Sequence, residues 1–116
     1  MTCVVTDTGP LIHLSALDVL SLFDVFETVL VPETVLEELE RGGVPDGFFA
    51  LSIERVEASD DSLAPDLDAG ERATLAVALE HDATVVTDDL DARRVASGLE
   101  LDVTGSVGVI VRSLCR

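Results

Sequence analysis

The chain has 116 residues, 23 of them acidic against seven basic, for a formal net charge of -16, and 47% are hydrophobic. That length suits one domain with a real core, spanning residues 1–116, and the hydrophobic content excludes disorder while no stretch reaches the roughly 18 to 20 uninterrupted apolar residues of a membrane span. Every basic residue is arginine, and the lack of lysine excludes Walker-type nucleotide loops, receiver-type phosphoacceptor sites and Schiff-base enzymes.

The first expected strand, "CVVTD" (3–7), ends on Thr-Asp. It is followed by the helical stretch "PLIHLSALDVLSLF", with Pro10 suited to the first turn and Leu11, Leu14, Leu17 and Leu20 recurring at helical spacing. "TVLV" (28–31) reads as the next strand, and "PETVLEELERGG" as a helix that opens on Pro32 and closes on a glycine pair fit for a C-cap. An edge-type strand is expected in "ALSIERV" (50–56). The segments "GGVPDGFF" and "EASDDSLAPDLDAG" carry turn residues, the second too acidic and irregular for packed core. A helix from Ala69 to Glu80, the strand "ATVVT" (83–87), the helix "LDARRVASG" ending at Gly98, the strand "LDV" (101–103) and a last helix in "GSVGVIVRSL" complete the order. Strands alternating with helices predict a three-layer α/β/α fold around a doubly wound parallel sheet. In such sheets ligands bind beyond the carboxyl ends of the strands, where Asp7, Asp88 and Asp89 are expected.

Each of these carboxylates also has an ordinary structural reading. Asp7 begins "DTGP", a good turn and cap sequence; Asp88 or Asp89 fits an N-cap, and Asp91 fits first-turn dipole compensation. Glu71, three residues after Asp68, fits an acidic capping box. Glu38 is more discriminating. On a wheel with Val35 at zero, Leu36 and Leu39 lie at about 100° and about 40°, Glu37 at about 200° and Glu38 at about 300°. Glu37 therefore points to solvent, whereas Glu38 flanks the apolar face and can reach a cleft.

Joint placement of two strand-end aspartate sites and two helix-borne glutamates favours chemistry over capping alone. Two unit charges about 4 Å apart repel by roughly 4 kcal/mol at an effective dielectric of about 20. A hard divalent cation, Mg2+ or Mn2+, removes that penalty and can polarise a phosphate and activate water, which points to metal-dependent phosphodiester cleavage.

The ordered blocks "DTGPLI", "VPETVLEEL", "GERATLAVALE", "VVTDDLDARRVA" and "VTGSVGVIV" closely resemble the PIN-domain nucleases, in particular the compact prokaryotic branch related to toxins of toxin–antitoxin modules. The resemblance covers nearly the whole chain. It implies a PIN-like doubly wound sheet, an Mg2+- or Mn2+-dependent endoribonuclease site, and acidic ligands at Asp7, Glu38, Glu71, Asp88 and Asp89. Thr8 and Thr87 match positions where the family can set a hydroxyl beside the site, whereas Gly9 stands where the "DTSPLI" form has serine. RNA is then the expected substrate, with an antitoxin protein as a partner and a homodimer as the assembly. Arg72, Arg93 and Arg94 are candidates for the RNA backbone, with solvent-exposed ion pairing as their alternative. The competing reading is an inactive PIN-like interaction module; a small-molecule phosphatase ranks below both, because Gly9 and the missing lysine depart from the haloacid-dehalogenase pattern.

The remaining composition bears on setting. A lysine-free acidic surface suits a halophilic source, since about 1 M salt shortens the Debye length to about 3 Å. The same charge runs against RNA affinity, an objection softened by high salt, bound cations or a basic partner. Trp and Tyr are absent and Phe numbers four, so aromatic base-stacking platforms are not expected. "MTCVV" lacks the features of a secretory signal, leaving the cytoplasm as the default, and Cys3 and Cys115 read as reduced residues outside any ligand spacing. His13 and His81 read as isolated.

Overall fold

The structure is a computed structural model in which residues 2–58 and 64–114 are described. Five parallel strands form one sheet in the order β3-β2-β1-β4-β5: β1 (Cys3–Thr6), β2 (Thr28–Pro32), β3 (Glu54–Val56), β4 (Thr84–Val86) and β5 (Val103–Thr104). Consecutive side chains on a strand point to opposite faces. Val4, Val29, Val31 and Val86 therefore enter one core, and Val5, Leu30 and Val85 the other. A sheet buried on both faces needs such continuous apolar runs, which is why the central strands read so plainly in the sequence.

Helices α1 (Thr8–Ala16), α2 (Glu33–Gly42) and α5 (Ser106–Leu114) cover the first face with Leu11, Leu14, Val35, Leu39 and Val109. Helices α3 (Ala69–His81) and α4 (Leu90–Gly98) cover the second with Leu75, Val77, Ala92 and Ala96. Right-handed crossovers explain the division. The chain winds outward from β1 to β3, then returns past β1 to β4 and β5, and the change of direction transfers the helices to the opposite face. Burying each such Leu contributes about 1.5–3 kcal/mol, so this layering sets the positions of the strand ends.

Several boundaries differ from expectation. The long first helix stops at Ala16, because Asp18 takes a left-handed backbone (φ 57) and the chain restarts as a 3-10 turn over Leu20–Val25. Leu17, counted in the helical spacing, is 62% exposed. The edge strand is shorter than 50–56: Phe48–Ala50 form a 3-10 turn, and only Glu54–Val56 pair with β2. β5 begins two residues later than expected. Helix α2 closes as the glycine pair predicts, with Gly43 at φ 94. The acidic loop is not wholly outside the core: Leu67 is buried among Leu75, Val77 and Ala92, while residues 59–63 lie outside the described residues. Cys3 is a half-buried free thiol whose pKa is raised, first by burial and then by Glu54; Cys115 lies outside the described residues. Among the described residues no helix is long and apolar enough to cross a membrane.

Candidate functional site

The direction of winding reverses between β1 and β4, where the crevice of a doubly wound sheet opens. A cleft of about 320 Å3 lies there. Six carboxylates line it: Asp7 beyond β1, Glu38 on α2, Asp68 and Glu71 at the start of α3, and Asp88 and Asp89 beyond β4. Thr8, Gly9 and His13 of α1 complete its wall. The four chain-distant acidic positions expected from sequence thus converge on one cavity.

Asp7 is the N-cap of α1. Pro10 has no N–H to offer a capping oxygen, and the Asp7 Oδ1 accepts instead from the Thr8 backbone N–H at 2.8 Å. Its Oδ2 accepts from the Thr87 hydroxyl at 3.3 Å, and that hydroxyl in turn accepts from the Asp89 N–H at 3.2 Å. Thr87 is 1% exposed and stands behind the carboxylates, joining Asp7 to Asp89. Asp89 caps α4, its Oδ2 accepting from the Ala92 N–H at 2.8 Å. Each cap occupies one carboxylate oxygen and fixes where the other sits.

The glutamates arrive from two helices. Glu37 is exposed and Glu38 half-buried, as the wheel predicts. Glu38 Oε2 accepts from the Thr8 hydroxyl at 3.4 Å, while Oε1 lies over the backbone of Gly70, so near that a Cβ there would come within 2.0 Å of it. Gly70 is therefore the residue that lets α2 and α3 meet with a carboxylate between them. Glu71 completes a capping box: Asp68 Oδ1 accepts from the Glu71 N–H at 2.9 Å, and Glu71 Oε1 accepts from the Asp68 N–H at 3.2 Å.

Asp88 behaves differently. Its Oδ1 accepts from the Ser106 N–H at 2.7 Å and its Oδ2 from the Ser106 hydroxyl, and Oδ2 also pairs with His13 Nδ1 at 2.7 Å. Both oxygens are engaged, so Asp88 ties the start of α5 and the exposed flank of α1 to the end of β4.

Electrostatics follow this geometry. Burial, with further repulsion from Asp68 and Glu38, pushes Asp7 up to about 6. Glu71 is pushed up to about 7, by burial first and then by Asp68, Asp89 and Asp7. Glu38 is also raised, by burial and by Asp68. Burial pushes Asp88 upward too, but the Ser106 and His13 hydrogen bonds outweigh it and hold that carboxyl below its ordinary range. Among the described residues no arginine lines the cleft. Arg93 is not among the lining residues, and its Nη1 lies close to Gly105. Arg94 is 80% exposed and pairs with Asp91 at 3.7 Å; Arg72 is half-buried, with an Nε that no described residue satisfies.

Among the described residues, no three His, Cys, Asp or Glu side chains already close on one point as a ready ligand set. The caps account for that spacing, since each holds one oxygen toward its own helix. Sequence reasoning did not bring Asp68 or His13 to the cleft, nor Ser106 to Asp88. Asp68 was visible as a capping residue, but the meeting of His13 with Asp88 depends on β1 lying beside β4.

A PIN domain family model matches residues 3–116. No curated protein matches the chain. Among solved structures, a PilT N-terminus domain protein from the hyperthermophilic archaeon Sulfolobus solfataricus is similar, with 16% identity and a TM-score of 0.75 over 98% of this chain and 94% of that one. The VapBC2 structure from Rickettsia felis, bound to a DNA fragment from their promoter, matches at 16% identity and a TM-score of 0.63 over 90% of this chain and 98% of that one. At that identity both likenesses concern the fold.

Proposed function

The chain belongs to the PIN domain family, and from that premise we propose that it is a metal-dependent endoribonuclease that cleaves RNA phosphodiester bonds. PIN domains are in general nucleases that use divalent metal ions. The observation that carries the reading here is a cleft lined, among the described residues, by six carboxylates and no arginine, in which Asp7 and Glu71 are pushed up to about 6 and about 7. Oxygen donors that repel one another, offset among the described residues only by Arg41 acting on Glu38 and His13 on Asp88, suit a hard cation, Mg2+ or Mn2+. Asp7, Glu38, Glu71 and Asp89 would hold it, Glu71 and Asp89 each with one oxygen given to a helix cap and Asp7 with its two oxygens oriented by the Thr8 N–H and the Thr87 hydroxyl. When bound, the ion supplies Lewis-acid polarisation of the phosphate and a more acidic water. Thr8 and Thr87 keep Glu38 and Asp7 oriented, and Asp88 positions His13 and the start of α5. Arg72, Arg93 and Arg94 are the candidate contacts for the RNA backbone.

A toxin role, acting in the cytoplasm with an antitoxin protein as partner and a homodimer as the working unit, is consistent with the likeness to the VapBC2 structure. The net charge of -16 favours a halophilic setting, where salt mutes repulsion between the acidic surface and RNA. The same charge favours the second reading, an inactive interaction module. Cleavage of a mixed-sequence RNA pool in molar KCl, with and without Mn2+, tests the two. Mn2+-dependent fragments lost in Asp7→Asn support the nuclease; no cleavage in any condition, and no thermal stabilisation by Mn2+, leaves the interaction module.

A further inference from the structure

Among the residues lining the cleft, His13 alone carries a side-chain nitrogen; every other polar side chain there is a carboxylate or a hydroxyl. The ring is 59% exposed, yet it is held: Nδ1 pairs at 2.7 Å with Asp88 Oδ2, and Asp88 is itself fixed by the backbone and hydroxyl of Ser106. An imidazole anchored through Nδ1 presents Nε2 on its open edge. The Asp88 contact fixes the orientation of the ring in the wall of the cleft.

We propose that His13 reads the ribose 2′-hydroxyl of the RNA strand at the mouth of the cleft, and so sets the preference for RNA over DNA. This rests on the nuclease reading of the same cleft and names the group that selects its substrate. A hydroxyl suits the position better than a phosphate. Asp88 sets its negative charge against the ring at 2.7 Å and the other carboxylates line the same cleft, which opposes an anion there and leaves a neutral polar group unopposed. The 2′-hydroxyl both donates and accepts, so it bonds to Nε2 whether or not that nitrogen carries a proton, and it is the group by which a protein tells RNA from DNA. Phosphate binding is left to the cation and to Arg93.

The test compares an RNA with the same RNA carrying 2′-deoxy nucleotides, in wild type, His13→Phe and His13→Gln. One hydrogen bond predicts a preference of about tenfold for RNA in kcat/KM. His13→Phe should erase the difference between the RNA and 2′-deoxy rates, whereas His13→Gln, whose amide reaches the Nε2 position, should keep most of the preference. A purely structural His13 would slow both substrates equally, and that result overturns the proposal, as does a wild-type enzyme indifferent to the 2′-hydroxyl. The substrate arm needs no variant, so it stands even where His13→Phe melts early. Equilibrium binding of RNA and of the matching DNA with Ca2+ in place of Mg2+ separates this inference from the nuclease reading. A preference for RNA that His13→Phe removes, in a protein that cleaves nothing, keeps the inference and discards the nuclease; equal binding of RNA and DNA discards the inference.

Discussion

Asp7→Asn should stabilise the cation-free protein, although it removes the most buried carboxylate of the cleft. Asp7 is 7% exposed, and its carboxyl is raised from 3.8 to about 6, chiefly by burial. A carboxyl raised on folding contributes stability that is fully present below its unfolded pKa and lost as pH rises through its folded pKa. Between about pH 4 and about pH 6 the wild type therefore loses about 3 kcal/mol through this group, at 1.36 kcal/mol for each tenfold change in proton affinity. Asparagine carries no such charge, can still accept from the Thr8 N–H, and can donate its amide to the Thr87 hydroxyl. In EDTA near pH 8 the variant should melt roughly 10 °C above wild type, taking about 3–5 °C per kcal/mol at this chain length. Near pH 4 the two curves should coincide. Molar KCl should preserve most of the difference, because burial is the largest cause and salt screens only the Asp68 and Glu38 contributions. Thermal and urea melts across that pH range decide the matter. A gain that does not depend on pH, or a loss near pH 8, would refute the assignment of Asp7 as a buried, uncompensated charge.

Cation binding should reverse the order. With Mn2+ the wild type is expected to gain stability and Asp7→Asn to gain little. The shift should grow from about pH 5 to about pH 8, as Asp7 and Glu71, raised to about 6 and about 7, lose the protons that compete with the metal; titration calorimetry in buffers of different ionisation enthalpy reads the released protons. Gly70→Ala places a Cβ within 2.0 Å of Glu38 Oε1, and the flexible carboxylate is what gives way. Its stability in a urea melt should hold or rise, by up to about 1 kcal/mol of helix propensity, while Mn2+ affinity falls about tenfold. Unchanged affinity would remove Glu38 from the donor set. At the end of α1, Asp18→Gly relieves a left-handed backbone at φ 57 and should add about 0.5–1 kcal/mol in a urea melt, without altering cleavage.

The central strands were legible because they are buried on both faces. "CVVT", "TVLV" and "TVV" are apolar at nearly every position, and no helix of similar length would lack a polar side. The edges were not. Glu54 and Arg55 of β3 are exposed, so composition alone could not distinguish three paired residues from seven. The first helix was read too long because Leu17 and Leu20 continue its spacing. Leu20 does enter the core, but by way of a turn at Asp18 that hydrophobic periodicity does not record. In the cleft, Glu38 was found from its angle on the wheel, since a residue at the border of an apolar face has a direction fixed by the helix itself. His13 and Ser106 have no such local signature. Their partner is Asp88, 75 and 18 residues away, and the encounter follows from strand order.

Cap and ligand were posed as rival readings of each acidic residue, and the geometry makes them compatible. A carboxylate has two oxygens. Asp7, Asp89 and Glu71 each give one oxygen to the backbone at a helix start, at 2.8, 2.8 and 3.2 Å, which fixes the other at the end of a strand or over the cleft at no further cost in side-chain freedom. Parallel α/β folding puts helix starts beyond the strand ends, so capping aspartates of neighbouring strands gather without any sequence signal beyond their own caps. Asp88 departs from this arrangement. With Ser106 and His13 on it, both of its oxygens are taken, and of the adjacent pair Asp88–Asp89 only the capping member keeps an oxygen for the cavity. The division has a consequence that single substitutions can read. Asp89→Asn should abolish the Mn2+-dependent rise in melting temperature. Asp88→Asn should leave most of that rise in place and instead loosen α5 and His13, lowering cation-free stability by about 1–3 kcal/mol through the charge-assisted bonds it weakens. Equal loss of the Mn2+ response in both would mean that the two aspartates hold the cation together.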